Sequence, residues 1–203
     1  MPTSAQNRIQ AAALRLFAEK GSTQITVSAL ALEAGIARGT VYNNIKKPHQ
    51  LFESVATRLV DEMHQRIVST FNPALDPAIR LANGIRFFIR RTHEEPTWGR
   101  FINRFAHSEE SLKKLFAGPP IQDVLLGLSQ KRYDFKHEQL HAVGALIAGT
   151  VLSSMPLVLH GNRTWQEVGS DAAELVLRAL GIASQEAKDL ATLPLPDLPG
   201  GAS

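Results

Sequence analysis

Apolar side chains recur three and four positions apart along the 203 residues, the spacing of one helix face, and no strand-like alternation competes with it. The first stripe is Ile9, Ala12, Ala13, Leu16 and Phe17, preceded by a capping box from Thr3 to Gln6 and stopped by Gly21. Thr26 is placed to cap a short helix carrying Val27, Leu30 and Ala31 up to Ala34-Gly35, and another short helix follows over 37–44. A longer helix is predicted over 48–71, with Pro48 in a first turn that needs no N–H donor.

Beyond the breaks at Asn72-Pro73 and Asp76-Pro77, helices are predicted over 79–93, 98–106, 108–117, 121–130, 136–160 and 164–180. The last opens with a capping box from Thr164 to Glu167 and is followed by Gly181. Pro156 is expected to kink the helix that contains it. The pattern predicts an all-α fold of about nine helices without internal repeats.

Such a length buries a core without covalent staples, and the absence of cysteine excludes disulfides, thiolate metal sites and cysteine nucleophiles. The N-terminus lacks a signal-peptide pattern, and no uninterrupted run of about 18 apolar residues occurs, so a soluble, cytoplasmic protein without a membrane partner is expected. The end, ATLPLPDLPGGAS, is rich in Pro, Gly and small residues, and 184–203 reads as a disordered tail.

Charge changes the picture. Residues 1–50 hold six basic side chains against two acidic ones, a net charge of +4, whereas the whole chain carries +3. A compact basic module ahead of a near-neutral remainder suggests a polyanionic partner.

Two short helices joined by a tight Gly-containing turn form the helix-turn-helix plan, whose second helix enters the DNA major groove. Here the turn is Gly35-Ile36. On the second helix Val41 and Ile45 stand four apart and face inward, leaving Arg38, Gly39, Thr40, Asn43 and Asn44 toward the groove. Arg pairs with guanine, Asn with adenine, and Thr with phosphate or a thymine methyl. Gly39 removes a side chain where backbone approaches sugar-phosphate, Tyr42 offers a ring and a hydroxyl, and Lys46 and Lys47 add neutralising charge.

At this point RIQAAALRLFAEKGSTQITVSALALEAGIARGTVYNNIKKPHQLFESV resembles the N-terminal domain of TetR-family transcriptional repressors over about residues 7–56. Matching positions include Ala12, Phe17, Gly21, Thr26, Val27, Ala34, Gly35, Gly39, Thr40, Tyr42, Leu51 and Phe52. The chain departs from the family pattern at Ile45, where an aromatic is usual, and at Pro48, where a phosphate-contacting Lys is usual. The resemblance implies an obligate dimer, a C-terminal domain that binds a small molecule, and a ligand-induced change in spacing between the two reading helices. It adds Thr26 to the expected DNA contacts. The resulting division is a DNA-binding domain over 1–47, an effector-binding and dimerisation domain over 48–183, and the tail.

In the family the middle helices surround the effector. An apolar or aromatic pocket is therefore expected from Phe88, Trp98, Phe101, Ile102, Phe105 and Leu125, with Asn103, Arg104 or His107 to orient its ligand. Arg86, Arg90, Arg91, Arg100 and Arg104 read as solvated helix faces. The last two long helices are expected to pair with their symmetry mates through Ala145, Ala148, Gly149, Leu152, Val176 and Leu180.

One motif points elsewhere. HEQLHAVG, with His137, Glu138 and His141, spells the zinc-protease signature H-E-x-x-H. Ile147 stands where a metzincin needs its third His, and a protease cleft commonly presents a strand edge, which this pattern lacks. No metal and no cofactor is assigned, and the protein is not expected to be an enzyme. The leading expectation is a ligand-responsive repressor that binds a palindromic operator as a dimer and is released by a small apolar or aromatic effector. A zinc hydrolase and a helical regulator acting mainly through protein partners are the alternatives.

Overall fold

The computed structural model describes residues 4–45, 47–70 and 74–197, and these are all-α. Thr3, Lys46, Asn72-Pro73 and 198–203, on which sequence expectations also fell, lie outside the described residues. The helices are α1 (Ser4–Lys20), α2 (Val27–Ala34), α3 (Arg38–Asn44), α4 (Leu51–Ser69), α5 (Pro77–Glu94), α6 (Pro96–Phe105), α7 (Glu110–Lys113), α8 (Pro119–Ser129), α9 (Leu140–Leu159), α10 (Trp165–Ala179) and α11 (Ser184–Thr192).

Boundaries follow local chemistry. The Thr26 hydroxyl accepts from the Ala29 N–H at 3.1 Å, a cap worth about 1 kcal/mol. Asp76 caps α5 by accepting from the Ala78 N–H, with Pro77 at the first helical position. The Thr164–Glu167 capping box forms as its spacing predicts. The helix expected over 108–117 breaks into four-residue α7 and a 3₁₀ turn, Lys114–Phe116, after which Gly118 takes φ +68°. A 3₁₀ turn, His137–Gln139, likewise precedes α9, which continues through Pro156 to Leu159.

Two sequence readings are corrected here. Residues 184–192 are not disordered: α11 packs Ala187 and Ala191 into the core, and the Arg86 guanidinium donates to the Leu193 carbonyl at 2.7 Å. Composition marked the Pro-rich end, but docking against α10 and α5 decides the helix. Nor are all the arginines solvated. Arg91 is 1% exposed, reaches Glu62 at 2.9 Å and Glu95 at 3.0 Å, and lies 4.5 Å over the Trp98 ring. Burial pulls its pKa below the usual arginine range, against the pull of Glu95 and Glu62. Arg86 is buried too, whereas Arg100 and Arg104 are exposed.

The small N-terminal unit of α1, α2 and α3 sits on α4 and α6. Its junction with the rest is a cluster of rings: Phe17 of α1, Phe52 of α4, and Phe101 and Phe105 of α6. Phe52 meets Phe17 at 5.1 Å, Phe101 at 5.4 Å and Phe105 at 5.1 Å between centroids. Each such pair adds about 0.5–1.5 kcal/mol beyond its buried area.

Candidate nucleic-acid interface and regulatory core

The turn between α2 and α3 is built to be rigid. Gly35 takes φ +62°, ψ +43°, the left-handed conformation that only glycine adopts freely, and its N–H points back to the carbonyls of Ala31 and Leu32. From α1, Arg8 donates to the carbonyls of Ala34 and Gly35, each at 2.7 Å. Arg15 pairs with Glu33 at 2.5 Å. Two of the six basic side chains counted in the sequence therefore brace α2 and its turn from α1.

α3 buries Val41 completely and seats Ile45 against the core. Arg38, Gly39, Tyr42, Asn43 and Lys47 are exposed, with Tyr42 at 62%. Thr40 and Asn44 are half-buried, and the Asn44 amide donates to the Thr40 carbonyl at 2.8 Å, so it stiffens the helix end. Thr26 is exposed, but its hydroxyl is engaged as the α2 cap. Gly39 is informative. Its φ is not positive, and a Cβ there would meet nothing within 4 Å. Neither backbone geometry nor packing among the described residues calls for glycine.

The interior of the larger helical unit differs from the sequence expectation. A narrow cavity of about 30 Å³ lies between α4, α5, α8 and α9. Ile67, Leu81, Gly84, Ile85, Phe88, Phe116, Pro120, Ile147 and Val151 line it, together with the buried ion pair Arg80–Asp123. Of the six expected pocket residues only Phe88 is on its wall. Phe101 and Phe105 instead join the ring cluster at the domain junction, Ile102 is buried core, Trp98 stands behind Phe88 at 5.9 Å, and half-buried Leu125 does not line it. Helical spacing placed these residues on inward faces without saying which neighbour each face meets. Gly84, Phe116 and Asp123 were missed because nothing local marks a residue as facing empty space.

The polar candidates separate as well. Asn103 donates to the Leu152 carbonyl at 2.8 Å, Arg104 turns to α1, and His107 lies in an outer groove of about 870 Å³. That groove runs between the 106–122 segment and α9, past His141, Gly144, Ala145, Ala148 and Gly149.

α9 is apolar nearly all round, long and apolar enough by composition to cross a membrane, yet only about a third of its most apolar stretch is buried in the protomer. Its inner face holds Val143, Ile147, Val151, Leu152, Met155 and Val158. Outward stand Ala145 and the half-buried Ala148 and Gly149, with Leu146 41% and Leu157 39% exposed; on α10, Leu175 is 59% exposed. Leu152, Val176 and Leu180 are corrected from interface to protomer core, at 2%, 1% and 1% exposure. An α-helix with two apolar faces offers sequence no means of telling which one is already covered.

His137 and His141 straddle the 3₁₀ turn and the start of α9, both exposed, as is Glu138. Among the described residues no three His, Cys, Asp or Glu side chains gather as a metal site would require.

Residues 9–54 match the family described as bacterial regulatory proteins, tetR family, and residues 76–193 match the tetracyclin repressor-like C-terminal domain. The chain belongs to the TetR family. It is a TetR-family transcriptional regulator: a helix-turn-helix DNA-binding domain followed by a C-terminal domain of the ligand-binding type. An uncharacterized HTH-type transcriptional regulator of Haemophilus influenzae is 26% identical over 173 residues, covering 84% of each chain. RolR in complex with resorcinol shares the fold with a TM-score of 0.72 at 23% identity, over 96% of both chains. The fatty acid degradation regulator FadR of Bacillus halodurans does so with a TM-score of 0.73 at 17% identity, over 87% of this chain and 96% of that one. At these identities the two structures speak for the fold alone.

Proposed function

We propose that this TetR-family regulator is a cytoplasmic, dimeric repressor that reads a palindromic operator through α3 and releases it when a small, largely apolar ring compound enters the α4–α5–α8–α9 cavity. The observation that carries the reading is one continuous connection. Ile67 of α4 is on the cavity wall, while Phe52 of the same helix stands in the ring cluster against Phe17 of the reading domain. A ligand that spreads the cavity therefore displaces a rod whose other end carries α1–α3. The cavity wall, apolar but for one ion pair, suits a ring with few polar groups. RolR, solved with resorcinol, is a relative in fold whose ligand has that character.

Dimerisation uses the uncovered faces of α9 and α10, through Ala145, Leu146, Ala148, Gly149, Leu157 and Leu175 in place of the buried leucines and valine. Two-fold symmetry then calls for half-sites about one helical turn, ~34 Å, apart or a multiple of it. Arg38 and Asn43 read bases, and Tyr42, Lys46 and Lys47 contact phosphate. No catalytic step is assigned.

Selection of bound sequences from a random DNA pool, followed by binding at several salt concentrations, tests this. Enrichment of a palindrome is expected. Tyr42→Phe and Lys47→Ala should weaken all sequences alike, Lys47→Ala lowering the salt slope by about one phosphate contact, whereas Arg38→Ala and Asn43→Ala should shift base preference. Enrichment of no sequence, or a strictly monomeric protein, overturns the reading.

A further inference from the structure

The narrow cavity and the outer groove share one residue. Phe116 lines both, and its ring stacks on Phe88 with centroids 5.2 Å and planes 26° apart. Behind it the cavity of about 30 Å³ has room for little more than a water molecule or two; in front, the groove of about 870 Å³ is open to solvent. The backbone carrying this ring is short and irregular, and it is held from one side: Leu115 is fully buried and its carbonyl lies 3.2 Å from His64 Nε2 of α4. That backbone is a single 3₁₀ turn between four-residue α7 and Gly118 at φ +68°, closed by one Ala117 N–H to Lys114 carbonyl bond at 3.2 Å.

On the opposite wall Gly84 sits inside α5, where a Cβ would meet nothing within 4 Å. A glycine inside a helix costs about 1 kcal/mol relative to alanine, and no packing among the described residues offsets it. Space is thus kept free beside Phe88. The Arg80–Asp123 ion pair faces the same space, buried in an otherwise apolar wall.

We propose that Phe116 is a displaceable plug that occupies the ring position of the effector: a single-ring aromatic hydroxyl compound enters along the α8–α9 groove, displaces Phe116 and stacks on Phe88 in its place. Its hydroxyl turns to Arg80–Asp123, which supplies donors and a carboxylate acceptor. An aromatic ring replaces the stacked face that Phe88 loses, which an aliphatic ring does not. A bare hydrocarbon leaves the ion pair without a new partner. This inference rests on the reading of the cavity as the effector site.

Phenol, toluene and cyclohexanol are titrated into the full chain carrying Trp165→Phe, so that Trp98, 5.9 Å from Phe88, is the sole indole reporter. A plug that vacates the site in about one molecule in a hundred lowers apparent affinity about a hundredfold, so Phe116→Ala is expected to bind phenol at least about tenfold tighter. Phe116→Leu, a milder change should alanine loosen the turn, should fall between. Phenol should bind more tightly than either toluene or cyclohexanol, and adding Gly84→Val to Phe116→Ala should abolish binding. Equal phenol affinity with and without Phe116, no binding to a helical Phe116→Leu protein, or full binding in the presence of Gly84→Val overturns the plug. Phenol binding as expected without release of DNA sustains the plug and refutes the effector role of the cavity.

Discussion

Arg104 of α6 donates to the carbonyl of Glu19, at the end of α1, at 3.1 Å, so a side chain of the ligand-binding domain caps a helix of the reading domain. The contact is close: a Cβ on Gly21, which holds φ +65°, would stand 2.5 Å from the Arg104 guanidinium. Together with Phe101 and Phe105, Arg104 makes α6 a second link beside α4 between the N-terminal helices and the rest of the chain.

Arg104→Ala should cost about 1 kcal/mol of stability, the net worth of one hydrogen bond, and should leave operator affinity nearly unchanged while blunting effector-driven release. Gly21→Ala should cost about 1–2 kcal/mol from its left-handed backbone alone. Combining the two should recover the part due to collision and not the part due to φ. Urea unfolding of the four proteins measures this double-mutant cycle, and additive losses would refute the contact.

Gly39→Ala should stabilise the free protein by about 0.5 kcal/mol, because no neighbour opposes the methyl and the unfolded chain loses freedom. Operator affinity should fall about tenfold or more, the effect of forcing a methyl into a close contact. Thermal unfolding without DNA and fluorescence anisotropy with DNA read the opposite signs; unchanged DNA affinity refutes the close approach.

Leu175→Asp and Leu146→Asp place a charge on the uncovered apolar faces and should give folded monomers in analytical ultracentrifugation. Leu152→Asp should instead destabilise the protomer by about 3–5 kcal/mol, since its side chain is already inside. A Leu175→Asp protein that remains dimeric would place the interface elsewhere.

The capping box of α10 predicts an acid dependence. The Thr164 hydroxyl and backbone N–H hold the Glu167 carboxyl below the usual glutamate range. A lowered folded-state pKa stabilises fully above the ordinary glutamate value, and that stabilisation disappears as pH falls through the lowered value. In Thr164→Val the Glu167 titration, followed by carboxyl NMR, should move up toward the ordinary range, and the acid-side loss attributable to this cap should vanish. An unmoved titration would exclude the hydroxyl as the cause.

Much of the reading domain was legible because its determinants are local. A Thr cap, a Gly in the left-handed turn, inward Val41 and the basic excess each act within a few residues, so the order of side chains along the chain suffices. The same holds for the Thr164–Glu167 box and for the existence of the long helices. Where helix faces meet was not legible. Phe101 and Phe88 have the same chemistry and the same helical spacing, yet one is at the domain junction and the other on the cavity wall.

The sequence by itself thus determined an all-helical chain with a helix-turn-helix at its head, since helix periodicity, caps and turns are short-range effects. Only the tertiary structure decided that α11 docks, that Arg91 is buried between two glutamates, that Leu152 faces inward while Leu175 does not, and that Phe116 stands between groove and cavity. Those outcomes depend on which distant surfaces come into contact and on the space left between them, and neither is a property of any single segment.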